Sequence, residues 1–269
     1  MDPITIAAVI ALGALVGFLV GLTSVGSGSI LTPILYLDFS SSLSTLFVVG
    51  TSTTEGTITK FIASARNYLR NTLRKDYAFI IAITGVPTAA VGAFFSADLI
   101  TWNLFQPILA AVLIAVAIAI IYDAKFRNKK NEKKLTDPKM DSRLKVKGMA
   151  VGLVVGLIAG FTGVSTGSLL VASLIVFMGF SPRTAVTIAV FEGGIILLAA
   201  TIVQLYLGHV NFLFTGLLVL GGIPAILVGS HFKDRVNQRL LGYGVAGLII
   251  FESARTLSQF FWGKKFFFF

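Results

Sequence analysis

The chain has 269 residues, 55% of them apolar and 13% charged; a soluble domain carries about 25% charged residues, so the solvent around this one is lipid. Its net charge of +10 is not laid out as a nucleic-acid surface, because ten of the 22 basic residues fall between Lys125 and Lys147 in one long polar stretch. Cysteine is absent, which excludes disulfides and thiolate metal sites, and the length suffices for about ten membrane segments of ~20 residues.

Met1-Asp2-Pro3 lacks the positively charged start of a secretory signal, so residues 4–22 read as a retained first helix. Apolar segments follow at 28–37, 43–65, 77–97 and 102–122, then the charged stretch 123–147. A second set of five runs over 148–163, 167–180, 184–207, 212–230 and 239–261. The second segment of each set has only ten to fourteen residues, and at 1.5 Å per residue covers about half of a ~30 Å hydrocarbon core. It is expected to be a broken or re-entrant helix, or a short span completed by flanking turns.

The two sets are copies. Gly13-x3-Gly17-x3-Gly21-x-Thr23-x-Val25-x2-Gly28-Ser29-x-Leu31 recurs as Gly152-x3-Gly156-x3-Gly160-x-Thr162-x-Val164-x2-Gly167-Ser168-x-Leu170. Gly85-Val86-Pro87-x3-Val91-Gly92-x2-Phe95 recurs as Gly222-Ile223-Pro224-x3-Val228-Gly229-x2-Phe232, and Glu55-Gly56 falls on Glu192-Gly193. A membrane protein duplicated in this way, with glycine-broken segments in corresponding places, reads as a secondary transporter with its site at the repeat junction. The expected organisation is repeat 1 at 1–122, a basic cytoplasmic linker at 123–147 and repeat 2 at 148–269.

Charge placement orients the segments. Arg66, Arg70, Arg74 and Lys75, the linker, Arg183, and Lys233, Arg235 and Arg239 form a basic set; the opposite set holds Asp38, Asp98 and Gly208-His209-Val210-Asn211. Placing the basic set in the cytoplasm requires five crossings per repeat, an odd number, so the second repeat runs inverted to the first. The expected fold is thus an all-α, multi-pass plasma-membrane protein of about ten transmembrane segments in two five-segment inverted repeats. If the short segments do not cross, each repeat has four spans and the repeats are parallel.

Thr23-Ser24-Val25-Gly26-Ser27-Gly28-Ser29 and Thr162-Gly163-Val164-Ser165-Thr166-Gly167-Ser168 place hydroxyls and irregular backbone between apolar runs. Exposed N–H groups at the start of a following helix, with added hydroxyl donors, hold a small anion without a full cation in the membrane. Thr23, Ser27, Gly28, Ser29, Thr162, Ser165, Thr166, Gly167 and Ser168 are the candidate substrate-binding residues. Gly13, Gly17 and Gly21 fit close helix packing better. Glu55 and Glu192 sit inside apolar segments, where a carboxyl is costly and marks a pathway, a proton relay or a buried pair. They are the candidate proton-coupling residues, Glu192 the stronger because Glu55 has Lys60 and the Thr51-Ser52-Thr53-Thr54 run nearby. Two histidines, His209 and His231, and no cysteine offer no zinc set, and no catalytic constellation or cofactor motif stands out. Pro87 and Pro224 are expected to kink their helices.

Two hydropathic halves, each opening with Gly-x3-Gly-[Leu/Phe]-Thr-x-Val-x-[Ser/Thr]-Gly-Ser, resemble the sulfite exporter family written TauE/SafE. The Gly-[Val/Ile]-Pro-x3-Val-Gly blocks and Val48-Val49-Gly50-Thr51-Ser52 fit that family's pattern. The chain departs from it at Gly26-Ser27-Gly28-Ser29, and at Ala189-Val190-Phe191, where repeat 2 lacks the Gly-Thr-Ser element. The resemblance implies a carrier, not an enzyme, for sulfite or an organosulfonate, usually outward. The residues by themselves give a small-anion carrier in a lipid bilayer. A cation- or proton-coupled carrier or channel for another small anion, such as a carboxylate, is the alternative. Neither the oligomeric state nor the coupling ion is specified.

Overall fold

A computed structural model describes residues 2–23, 26–68, 75–126, 138, 141–164, 167–232, 236 and 238–262. The described residues form eleven helices and no strand: α1 (Pro3–Thr23), α2 (Gly28–Asp38), α3 (Thr45–Tyr68), α4 (Lys75–Phe94), α5 (Ser96–Thr101), α6 (Phe105–Phe126), α7 (Ser142–Thr162), α8 (Gly167–Val176), α9 (Pro182–Tyr206), α10 (Phe212–Phe232) and α11 (Gln238–Trp262). Ten of them follow the expected segments; α5 is an extra turn-and-a-half after α4. The start of α7 lies six residues earlier than the hydropathy predicts, because Asp141 caps it, accepting from the Leu144 N–H at 2.8 Å. Pro87 and Pro224 both lie inside continuous helices.

Among the described residues seven helices are long and apolar enough to cross a bilayer: α1, α4, α6, α7, α9, α10 and α11. The other three segments fall short for different reasons. Helices α2 and α8 have 11 and 10 residues. Helix α3 has 24 residues, but Glu55, Lys60 and its hydroxyl run dilute its apolarity.

The glycine repeats decide which helices touch. Gly13, Gly17 and Gly21 of α1 lie on the backbone of Leu218, Gly222 and Ile226 of α10. Gly152, Gly156 and Gly160 of α7 lie on Ile81, Gly85 and Ala89 of α4. Both pairs advance in step, so α1 runs parallel to α10 and α7 parallel to α4. A Cβ at Gly17 would stand 2.4 Å from the Gly222 carbonyl oxygen, and one at Gly156 2.4 Å from the Gly85 carbonyl oxygen. Only hydrogen fits at such backbone approaches. Each repeat's first helix is thus held by the other repeat's fourth, and the halves are interlocked.

Polarity is arranged for lipid. Phe79, Ile118, Ile202, Phe212 and Leu220 are each more than half exposed, whereas Thr51, Ser52, Thr53, Glu55 and Glu192 are buried. Apolar clusters flank this interior. One joins α1, α2, α6, α10 and α11 around Leu31, Leu113 and Leu218, and the other joins α4, α7, α8 and α9 around Ile81, Leu170 and Ile188.

A candidate anion site at the crossing of α3 and α9

Helices α3 and α9 pack against each other. Thr57 and Thr201 share a hydrogen bond of 2.8 Å. The Gly56 backbone faces Leu197, and Gly194 faces the Lys60 side chain. Residue numbers rise on α3 as they fall on α9, so the two helices are antiparallel. Glu55 and Glu192 therefore lie on opposite sides of the crossing, about seven residues or ~10 Å apart along the axis.

The turn before α2 is laid onto α3 at Glu55. The Ser27 hydroxyl hydrogen-bonds the Glu55 carboxyl, and Ser27 Oγ and Thr59 Oγ1 stand 3.5 Å apart. Gly56 lies beside this turn, a Cβ there being 3.4 Å from Ser27 Oγ, an ordinary contact. The Ser27 carbonyl starts the helix, accepting from Ile30 and Leu31 at 3.0 and 2.8 Å. Pro33, inside α2, has no N–H to give the Ser29 carbonyl four residues earlier.

The candidate residues divide by what their hydroxyls already do. Thr23 and Thr162 donate to the carbonyls of Leu19 and Ile158, both at 2.7 Å, and Thr162 Oγ1 also accepts from the Val164 N–H at 3.1 Å. Ser29 donates to the Gly26 carbonyl at 2.8 Å. These three are committed to backbone. Gly28 and Gly167 are buried at the first positions of α2 and α8. Ser165 and Thr166 lie outside the described residues. Ser168 differs from its counterpart Ser29: its buried hydroxyl has no hydrogen-bond partner among the described residues. The same holds for both carboxyl oxygens of Glu192 and for Glu55 Oε2. Buried polar atoms are nearly always partnered, which makes these atoms the candidates for contact with a bound group.

The repeats are unequal where the sequence departs from its pattern. In repeat 1, Gly50-Thr51-Ser52 is a docking surface. A Cβ at Gly50 would lie 2.1 Å from the His209 carbonyl oxygen, and Thr51 Oγ1 accepts from the Asn211 N–H at 3.2 Å. Ser52 and Thr32 donate to the Gly163 carbonyl at 3.4 and 3.1 Å. Gly163 holds φ at +68°, a left-handed cap that turns the chain from α7 towards α8. His209 Nδ1 pairs with Gln204 Oε1 at 2.9 Å, and Gln204 Nε2 donates to Ser96 Oγ at 3.1 Å. Burial holds the His209 imidazole below its ordinary pKa. His231 lies in the last turn of α10. Among the described residues no three His, Cys, Asp or Glu side chains could hold a metal.

Some polar groups were not singled out from the sequence. Thr57, Thr59 and Thr201 were missed because a lone threonine in a helix is ordinarily bonded back to its own backbone. Arg255 bridges Asp38 at 2.6 Å and Glu252 at 3.2 Å, tying α11 to the end of α2. The i,i+3 spacing of Glu252 and Arg255 in an apolar segment was the available signal.

The profile of the family described as Sulfite exporter TauE/SafE matches residues 9–256. The chain belongs to the TauE/SafE family. Among curated proteins it is 27% identical to the "Probable membrane transporter protein YjnA" of Bacillus subtilis (strain 168), over 253 residues that cover 93% of this chain and 98% of that one. No solved structure matches. This TauE/SafE protein is accordingly a multi-pass membrane transporter of the cell membrane. The family match spans both halves, and all the candidate residues fall within the matched region.

Proposed function

We propose that this TauE/SafE protein is a secondary transporter of a small sulfur oxyanion or organosulfonate, sulfite foremost, working in the direction of export. The observation that carries the reading is that Ser168 Oγ on α8, the Glu192 carboxyl on α9 and Glu55 Oε2 on α3 are buried with no hydrogen-bond partner among the described residues. Hydroxyl and N–H donors suit an oxyanion, and two carboxyls suit a proton that accompanies it. The family description supplies the sulfur chemistry.

The arrangement proposed is ten segments in two inverted five-segment repeats, 1–122 and 148–269, with the linker 123–147 cytoplasmic. The antiparallel crossing of α3 and α9 supports it, since these helices hold equivalent places and parallel repeats would set them parallel. The exchanged pairs α1–α10 and α7–α4 fit a two-fold relation between the halves. The substrate site lies between the Ser27–Ser29 and Ser165–Ser168 clusters. Glu192 carries the coupling proton and Glu55 has the lesser part.

Reconstitution tests this. Labelled sulfite is expected to enter proteoliposomes holding the protein, and a pH gradient is expected to change the rate. Movement of a carboxylate with no movement of sulfite or a sulfonate overturns the sulfur reading in favour of a carrier for another small anion.

A further inference from the structure

Lys60 is the one buried basic side chain among the described residues, with 4% of its surface exposed. A lysine inside a membrane segment is costly unless it faces the protein interior or a polar path. The sequence suggests Glu55 as its partner, but five residues along a helix turn a side chain by about 140°, so the two do not share a face. Lys60 instead shares a face with Gly56, one turn earlier, and this face meets α9: Gly56 lies against Leu197 and Lys60 against Gly194, two residues beyond Glu192. Gly56 is also where the Ser27 turn rests, with Ser27 Oγ 3.4 Å from the position of an added Cβ. Lys60 therefore stands between the Ser27 turn with Glu55 on one side and Glu192 on the other. Its counterpart in repeat 2 is Leu197, so the charge is present once in a duplicated frame.

The hydroxyl and amide donors that suit an anion here stand beside two buried carboxyls that repel it when ionised, and a nearby cation offsets that repulsion most strongly in a low-dielectric interior. We propose that Lys60 is the fixed positive charge of the transport site, contacting the sulfur oxyanion directly and making one half of a near-symmetric site electrically distinct. The assignment rests on the sulfur-oxyanion reading above.

A lysine that served only to neutralise a carboxyl would become dispensable once that carboxyl were an amide. The test is sulfite binding and proteoliposome flux for K60Q and K60R, and for K60Q added to E192Q and to E55Q, each checked for a single peak on gel filtration. Losing a charged donor to an anion is expected to weaken sulfite binding about ten- to a hundred-fold in K60Q. K60R, which keeps the charge, is expected to stay within about three-fold of wild type. The loss is expected to persist in K60Q/E192Q and K60Q/E55Q. Recovery in either double variant, or unchanged affinity in K60Q, overturns the assignment and leaves Lys60 a structural counter-ion. If K60Q does not fold, failure of the folded K60R and of both folded double variants to follow this pattern decides equally. Wild-type protein that neither binds nor moves sulfite overturns the functional reading itself, and the Lys60 assignment with it.

Discussion

Thr57 and Thr201 share a hydrogen bond 2.8 Å long across the crossing of α3 and α9. It joins the two halves of the chain at the level between Glu55 and Glu192, in a helix pair whose apolar surface is interrupted by hydroxyls. The two helices cross antiparallel, with Gly56 against Leu197 and Gly194 against Lys60.

If the halves are inverted, the end of α9 and the central linker face opposite sides of the membrane, whereas repeats whose short second segments do not cross put them on the same side. A cysteine at Tyr206, an exposed position, and one at Asn131 in the linker are expected to react with an impermeant thiol reagent from opposite faces of intact cells. Reaction of both from the same face would return the repeats to a parallel arrangement.

The Gly17–Gly222 and Gly156–Gly85 approaches leave no space for a side chain. Gly17→Val and Gly156→Val are each expected to cost about 1–3 kcal/mol or more by overpacking, seen as a lowered melting temperature and aggregation in detergent. Gly244→Ala, on a surface where an added Cβ meets nothing within 4 Å, is expected to melt like the wild type.

Ser29 and Ser168 hold equivalent positions but have different duties. Ser168→Ala is expected to weaken sulfite binding about ten- to a hundred-fold with stability unchanged, since its hydroxyl serves no internal partner among the described residues. Ser29→Ala removes a bond to the Gly26 carbonyl and is expected to cost about 1 kcal/mol of stability, with a smaller effect on affinity. Titration of both variants with sulfite, alongside thermal melts, separates these outcomes. Equal affinity loss would mean that the turn as a whole, not the hydroxyl, sets binding.

Glu192 has no hydrogen-bond partner among the described residues, whereas Glu55 has Ser27. Protonating Glu192 removes a negative charge that repels an approaching anion, so proton and anion favour the same state. Glu192→Gln is expected to preserve sulfite binding and flatten the dependence of flux on pH; Glu55→Gln is expected to do less. An inside-negative potential already favours anion efflux by ~2.3 kcal/mol per charge per 100 mV, so the proton matters most for uptake. A wild-type pH profile in Glu192→Gln would reduce this carboxyl to a structural group.

Arg255 serves a half-exposed Asp38 and a buried Glu252. Asp38→Asn is expected to cost at most about 1 kcal/mol, because water screens that side of the pair. Arg255→Ala leaves Glu252 without its cation and is expected to cost more, up to about 3 kcal/mol. Arg255→Ala/Glu252→Gln is expected to melt above Arg255→Ala alone, which thermal melts in detergent measure.

What the sequence determined by itself is what depends on composition and local period. Low charge and long apolar runs specify lipid as the solvent and helices as the only element, because a backbone in hydrocarbon must bond to itself. The duplicated glycines marked close packing, and the carboxyls at corresponding positions marked an interior. Tertiary structure decided everything that depends on which helix meets which. Gly13, Gly17 and Gly21 could have served any neighbour, and the partner proves to be α10, some two hundred residues away in the chain. Identical Gly-Ser pairs proved unlike, since Ser29 finds the Gly26 carbonyl and Ser168 finds nothing among the described residues. Lys60 looked like the neighbour of Glu55 and lies against α9. The reason is common to all three: a side chain's partner is set by helix rotation and contact across the fold, and neither is encoded in the spacing of residues along one segment.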